Sequence, residues 1–333
     1  MEKRQLGKSN VKASKITFGA WAIGGWLWGG TNRKEAIDAI KAAYDIGVTS
    51  IDTAPAYGHG LSEEIVGEAI RGLDRSNVQI LTKYGLRWDT TEGELFFKTK
   101  DNSGKEVNMN RFASKESIVK EVEASLKRLN TDYIDLYQIH WPDPTTPISE
   151  TMEAMELLIK QGKIKAAGVC NYSAEQMEEA DKTITLASNQ VPYSMLRRDI
   201  EKEVVPFAIK HNKAIIAYSP LAKGLLTGKM KPGYHFNEGD SRKNENNYTD
   251  ENLRRVDSFL DKLRPLADEK NVTLAQLVIR WTMQQPGITI VLVGSRNPKQ
   301  AVENAGANDI QLSGEEITFI NDELSNVNLI DKK

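Results

Sequence analysis

Four side chains of complementary chemistry stand out in this 333-residue chain: Asp52, Tyr57, Lys83 and His140. A phenol with its ordinary pKa of about 10 keeps its proton at neutral pH and gives it up reluctantly. A lysine ammonium within a few ångströms stabilises the phenolate and lowers that pKa. An aspartate beside the lysine holds it in place and offsets the cost of burying its charge. A neighbouring imidazole orients a carbonyl oxygen between itself and the phenol. Such a group is a general-acid device for a carbonyl that accepts a nucleophile, and proton transfer of this kind contributes roughly 10²–10⁴-fold. Taken singly, each residue has a plainer explanation: a loop-organising Asp, a solvent-facing Lys, a satisfied core His. A lysine on a barrel strand is also the nucleophile of Schiff-base lyases, so Lys83 admits that second chemistry. The four histidines show no metal-ligand spacing, and no metal site is expected.

Whether the four residues meet depends on the elements that carry them. One rhythm repeats along the chain: a short β-branched run, a loop, then a helix of 3.6-residue period. After a hairpin-like piece at Glu2–Ala13, the runs are Ile16–Phe18, Thr49–Thr53, Val78–Lys83, Ile134–His140, Ile164–Cys170, Leu186–Gln190, Ala214–Tyr218 and Ile288–Val293. The periodicity predicts a helix over Arg33–Ile46 with Gly47 as its stop. It predicts a second from Ser62, whose hydroxyl can cap while Glu63 and Glu64 favour the positive end of the dipole. A long polar excursion, Tyr84–Ala113, precedes a helix that aligns Ile118, Val122, Leu126 and Leu129. Eight such alternations predict a single (β/α)8 TIM barrel over 1–333, with an N-terminal β-hairpin, an extra C-terminal helix and long loops at the catalytic face. In that fold reactive residues end strands, as Asp52, Lys83 and His140 do here, with Tyr57 in the loop after Asp52.

Composition narrows the function classes. A net charge of −2 offers no electrostatic reason to bind nucleic acid or an anionic membrane, and neither partner is expected. The longest apolar run, Ile288–Val293, is too short to span a bilayer. Cys170 is the single cysteine, which excludes an internal disulfide. The start of the chain carries no apolar signal region, so a cytoplasmic location is expected.

The stretch GAWAIGGWLWGG (Gly19–Gly30) packs five glycines and three tryptophans into twelve residues. It is not a dinucleotide fingerprint, because Gly24-Gly25 and Gly29-Gly30 are adjacent pairs and no G-x-G-x-x-G can be drawn. GLLTGKM (Gly224–Met230) also fails as a P-loop, with one residue too few between its glycines and Met230 in the Ser/Thr position.

The segments IDTAPAYG (Ile51–Gly58), LKRLNTDYIDLYQIH (Leu126–His140) and GVCNYS (Gly168–Ser173) resemble signature segments of the aldo-keto reductases. WAIGGWLWGGT and HWPDPTTPI look most like bacterial members of the branch that includes potassium-channel β subunits. The resemblance runs from about Leu6 to Leu324. It implies a metal-free, NADP(H)-dependent reduction of an aldehyde or ketone, with Tyr57 as acid, Lys83 and Asp52 as its tuning pair and His140 orienting the carbonyl. It further implies that Asn171 and Gln190 hold the nicotinamide carboxamide and that Tyr218 stacks on the ring, with Gly19, Ala20, Trp21 and Asp52 close by. Ser219–Lys229, with Leu221, Lys223, Gly224 and Leu225, would then wrap the pyrophosphate. Gly294, Ser295, Arg296, Gln300, Glu303 and Asn304 would hold the adenosine end.

Two residues depart from the family pattern. Cys170 replaces the serine usual before the asparagine, and it is a poorer hydrogen-bond donor. Gln300 stands where many members carry an arginine, which leaves NAD(H) possible beside NADP(H). Trp21, Trp28, Tyr57, His140 and Trp141 are the expected substrate contacts; Trp26 and Trp28 each fit either pocket rim or loop anchor. Aromatic walls suit sugars, small dicarbonyls and arylaldehydes alike. A slow-turnover, nucleotide-binding regulatory subunit remains the alternative function, and monomer and homo-oligomer stay equally open.

Overall fold

A computed structural model describes residues 1–330. Eight parallel strands close a barrel in chain order: β1 (Ile16–Gly19), β2 (Ser50–Asp52), β3 (Gln79–Tyr84), β4 (Ile134–Ile139), β5 (Ile164–Cys170), β6 (Ser188–Pro192), β7 (Ala214–Tyr218) and β8 (Ile288–Gly294), with β8 pairing back onto β1. Closure removes every edge of the sheet, so no strand is left with unpaired backbone facing water. The helices lie in sequence outside: α1 (Arg33–Asp45), α2 (Leu61–Ala69), α3 (Lys115–Leu129), α4 (Ile148–Lys160), α5 (Ala174–Asp181), α6 (Val204–His211), α7 (Asp250–Glu269), α8 (Leu274–Gln284), α9 (Pro298–Ala305) and α10 (Gly314–Ser325). The extra C-terminal helix expected from the sequence is α10; α7 is a second addition, placed between β7 and α8.

Alternation along the strands builds two cores. Inward residues Leu81, Leu136, Ala166, Ala214, Ile216, Ile290 and Leu292 fill the barrel. Its floor is plugged by Leu6, Val11 and Ala13 from the N-terminal hairpin, where Lys3–Gln5 pairs antiparallel with Lys12–Ser14. Outward residues such as Ile51, Ile80 and Tyr137 meet the helix faces. On α3, Ile118, Val122, Leu126 and Leu129 are all buried as their spacing requires. Each fully buried Leu or Ile stabilises the fold by about 1.5–3 kcal/mol. With this filling in the lower barrel, the barrel itself leaves room for a ligand at its upper, C-terminal rim.

The structure corrects two local expectations. Ser62 does not cap α2. Gly60, at φ +102°, starts the helix, and Ser62 lies inside it, donating to the Ala20 carbonyl (2.8 Å) and sharing a 2.9 Å bond with Thr53. Glu63 and Glu64 do lie in the first turn of α2, and Glu63 is in addition buried, receiving Thr82 Oγ1 at 2.6 Å and Arg128 Nε at 2.7 Å. The excursion after Lys83 is not loop throughout: Leu86–Arg87, Glu94–Lys100 and Glu106–Arg111 form a three-stranded antiparallel sheet. Its polar residues face out, while Leu86, Phe96, Phe97 and Met109 pack on Trp26 and Trp141. Strand boundaries also move by one or two residues, most at β6, which runs to Pro192 rather than ending at Gln190.

That sheet is tied to the barrel by a buried carboxylate. Glu121 of α3 receives the Gly85 N–H at 3.1 Å and the Ser117 hydroxyl at 3.1 Å. Burial raises its pKa from 4.5 to about 7, with Arg87 pulling the other way. The folded chain therefore keeps this proton to higher pH than the unfolded chain does. Its stabilising contribution is full below pH 4.5 and is lost as pH rises through about 7. Glu121→Gln should gain stability relative to the parent by about 1–2 kcal/mol between roughly pH 5 and pH 8. Thermal unfolding of both proteins at the two pH values checks this; a pH-independent difference refutes it.

Candidate active site

The strand ends bring the four residues of complementary chemistry to one place. Asp52 closes β2, and its backbone carbonyl receives the Ala20 N–H (2.8 Å), which joins the first loop to the second strand. Lys83, one residue before the end of β3, is fully buried and donates to Asp52 Oδ1 at 2.6 Å and to the Thr53 carbonyl at 2.8 Å. Tyr57 lies in the turn after β2, with its ring 4.8 Å from Lys83 Nζ and 5.5 Å, edge-on, from the His140 imidazole. His140 follows β4 and is fixed through its N–H to the Tyr84 carbonyl (2.9 Å).

Two glycines allow the tyrosine turn to sit so close to the first loop. A Cβ on Gly24 would lie 2.7 Å from the Tyr57 carbonyl oxygen. A Cβ on Gly58, whose φ is +70°, would collide with the Gly24 carbonyl. Part of the glycine density of GAWAIGGWLWGG thus serves backbone-to-backbone packing against the Tyr57 turn.

The electrostatics differ in one respect from the tuned phenol read in the sequence. Burial pushes the Tyr57 phenol above its ordinary value; Lys83 opposes this but does not reverse it, and the Asp52 charge adds to it. Burial alone would lower the Lys83 pKa, yet Asp52 and then Tyr57 outweigh it, so the ammonium is held charged. The His140 imidazole is pushed well below its ordinary value, first by burial and then by Lys83, and is therefore neutral. Burial pushes the Cys170 thiol up, so it sits here as a small apolar filler.

A cavity of about 490 Å³ opens above this set. Asp52, Tyr57, His140, Asn171, Gln190 and Tyr218 line its deep part, and Trp21, Trp28 and Trp141 wall one side. From there it runs past Ser219, Leu221, Lys223, Gly224 and Lys229 to Gly294, Arg296, Gln300, Glu303 and Asn304, with Gly19 and Ala20 between. Three of the residues singled out in the sequence are not on its wall. Lys83 lies beneath it, Leu225 is buried in the apolar cluster under α8, and Ser295 is buried with its hydroxyl receiving Asn304 Nδ2 at 3.0 Å. Asn171, at φ +60°, donates to the His140 carbonyl (3.0 Å) and receives the Tyr218 hydroxyl (3.0 Å). Ser219, Ala222 and Lys223 also have positive φ (+58°, +46° and +51°), strain of a kind that gathers at ligand-binding walls.

The first loop is roofed onto the chain that follows β7. Trp28 bridges to Asp240, the Arg242 guanidinium lies 4.6 Å over the Trp28 ring, and Arg242 Nη1 donates to the Lys223 carbonyl (2.8 Å). Arg242 was invisible in the sequence as a site residue, since nothing in its loop marks which cation folds inward. Trp26 proves to be a loop anchor with a share of the cavity rim: it is 5% exposed, stacks on Phe97 and donates to the Lys100 carbonyl (3.1 Å). The donor set suits a nicotinamide nucleotide: two amides beside the acid, an aromatic face at Tyr218, and basic Lys229 and Arg296 toward the far end. Among the described residues no three His, Cys, Asp or Glu side chains cluster as metal ligands, and no helix is long and apolar enough to cross a membrane.

A closed barrel with a lysine–carboxylate pair under a tyrosine and a neutral histidine, beside a long cleft, defines a class of oxidoreductase scaffold. Residues 15–324 match the model of the aldo/keto reductase family, and the chain belongs to that family. It is 41% identical over 328 residues to the aldo-keto reductase YhdN of Bacillus subtilis, covering 98% of this chain and 94% of that one. Identity is 37% to an NADH-specific methylglyoxal reductase of Escherichia coli (96% and 97% covered) and 36% to a probable voltage-gated potassium channel subunit beta of Arabidopsis thaliana (93% and 92%). Among solved structures it resembles the glycerol dehydrogenase of Gluconobacter oxydans, with a TM-score of 0.86, 36% identity and coverage of 99% and 98%. An aldo-keto reductase of Klebsiella pneumoniae solved with NADPH matches at a TM-score of 0.73 and 28% identity, each chain covered in full.

The neutral state of His140 is directly measurable. Its ¹⁵N chemical shifts should report an imidazole that stays uncharged well below the ordinary histidine pKa of about 6.5, because burial and then Lys83 disfavour the cation. A midpoint near that ordinary value refutes the assignment.

Proposed function

We propose that this chain reduces the carbonyl group of an aldehyde or ketone to an alcohol, reversibly, with NADP(H) as cofactor and NAD(H) as a weaker substitute. The observation that carries the reading is the placement of Tyr57, Lys83, Asp52 and His140 at the end of the cleft where Asn171 and Gln190 offer amides. When bound there, the nicotinamide supplies the hydride. Tyr57, held as a protonated phenol by burial, gives its proton to the oxygen that becomes the hydroxyl. The Lys83 ammonium, 4.8 Å from the ring centroid, stabilises the phenolate left behind, and Asp52 keeps Lys83 in place. The neutral His140 directs an N–H at the carbonyl oxygen and fixes its angle to Tyr57. Trp21, Trp28 and Trp141 exclude water and present flat apolar faces to the substrate.

Arg296 and Lys229 make the far end of the cleft basic, which supports a 2′-phosphate there and hence NADP(H) over NAD(H). A Schiff-base role for Lys83 needs a neutral, accessible amine, and full burial in an ion pair with Asp52 argues against it. Tyr57→Phe should lower kcat by roughly 10²–10⁴-fold, followed as loss of NADPH absorbance with a panel of aldehydes, and leave NADPH affinity unchanged. Undiminished turnover would sink the role of Tyr57.

Trp21 packs 6.1 Å from the Tyr57 ring and edge-on to Trp28 at 5.3 Å. Trp21→Ala should raise the carbonyl KM by about tenfold while changing NADPH affinity less. The reverse pattern in steady-state kinetics and fluorescence titration would place Trp21 on the cofactor instead.

A further inference from the structure

Beside the ion pair the barrel interior holds a second amide that the reaction as described does not use. Gln138, on β4, is fully buried and lies off the cavity wall, in register with Lys83 on one side and Gly168 on the other. A Cβ on Gly168 would stand 3.1 Å from Gln138 Cγ and 2.5 Å from Ser188 Oγ. The bare glycine is therefore the notch through which Gln138 reaches across β5 toward β6. There Gln190 Nε2 approaches Gln138 Oε1 at 3.5 Å while it donates to Asp52 Oδ2 at 2.7 Å. Gln138 Nε2 has no partner at hydrogen-bond distance among the described residues, yet its amide is among the groups that oppose the rise burial imposes on the Asp52 pKa. A leucine or methionine would fill the same space without desolvating an amide, so packing alone does not account for a glutamine here.

The orientation of Gln190 follows from its neighbours. A carboxylate and a carbonyl oxygen, both acceptors only, take the two Nε2 hydrogens inward. Oε1 is left on the cavity side, and no side chain among the described residues donates to it. An acceptor so placed suits a ligand with a primary amide N–H, which is what a nicotinamide carboxamide offers.

We propose that Gln138 is a positioning residue for the reduction: it holds the Gln190 amide with Nε2 on Asp52 and Oε1 toward the cavity, so that a carboxamide bound at Gln190 is felt by Asp52, Lys83 and Tyr57. The inference rests on the reductase reading. A hydrogen bond accepted at Gln190 Oε1 polarises the amide and strengthens donation at Nε2. The Asp52 charge is then more fully satisfied, and the Lys83 ammonium is freer to stabilise the Tyr57 phenolate. The other titratable groups facing this chain, Cys170 and His140, are both held uncharged by burial and do not compete.

The test compares the parent and Gln138→Met with two cofactors, NADPH and its 3-acetylpyridine analogue, whose methyl ketone has no N–H to give. With NADPH the variant should lose about tenfold in kcat, and with the analogue less than about twofold, as expected of two changes acting through one link. The alkaline limb of its pH–rate profile with NADPH should move to higher pH, with NADPH affinity from tryptophan fluorescence kept within about twofold. Equal losses with both cofactors, or a lowered Tm with no change in the pH profile, would show that Gln138 only packs the barrel. The parent alone gives an independent answer: its alkaline limb should differ between the two cofactors, and coincident limbs overturn the proposal even where the variant does not fold. A parent that reduces no carbonyl with either nucleotide refutes the reductase reading and this inference together; a parent that turns over without the cofactor-dependent ratio refutes the inference only.

Discussion

The ion pair between Lys83 and Asp52 is the constraint to which the upper barrel is built. Both side chains are all but absent from the surface, at 1% and 3% exposure. Withdrawing two charges from water costs several kcal/mol per ion, and mutual attraction offsets this only when the remaining valences are also satisfied. Here they are: Lys83 has the Thr53 carbonyl as a second acceptor, and Asp52 has Gln190 on its other oxygen. A parallel barrel suits such a pair, because β2 and β3 are adjacent and both end at the rim, while the hydrophobic layers below keep the pair dry.

The surrounding structure follows from keeping that pair buried yet within reach of a ligand. Tyr57 covers Lys83 and separates it from the cavity. The turn that presents Tyr57 is braced by glycine contacts with the first loop, and that loop is in turn held under Asp240 and Arg242. The antiparallel sheet of Leu86–Arg111 adds a second aromatic wall. Neutral His140 completes the site without adding a charge beside Lys83, and burial is what keeps it neutral.

The amide groups beside the pair show the same economy. Glutamines 138 and 190 place their polar atoms in the barrel interior, above layers that are aliphatic. The left-handed backbone at Asn171, Ser219, Ala222 and Lys223 lies beside the same cleft. Buried polarity and backbone strain therefore coincide in one region, as expected where a fold gives up stability for a binding site.

Much of this was legible in the chain itself. Period-2 runs alternating with period-3.6 helices imply a (β/α)8 barrel, since a parallel strand needs a crossover helix and eight of them close. Asp52, Lys83 and His140 were readable as candidate site residues because they lie at or within one residue of strand ends, and in this architecture strand ends converge. The helical stripe Ile118–Leu129 was readable because burial on a helix repeats with its pitch. The antiparallel sheet after β3 was not, because its strands are set by pairing partners rather than by their own alternation. Ser62 misled because a residue type that caps a helix start is also one that, once buried, bonds across to a neighbouring element. The direction of the Tyr57 shift depended on how much water the folded walls remove, which no spacing encodes. The sequence by itself determined the architecture and which polar side chains stand at the strand ends, because periodicity and strand ends are local properties. Tertiary structure alone decided which amide faces Asp52, which arginine roofs the cleft and which groups keep their protons, because those depend on distances between elements far apart in the chain.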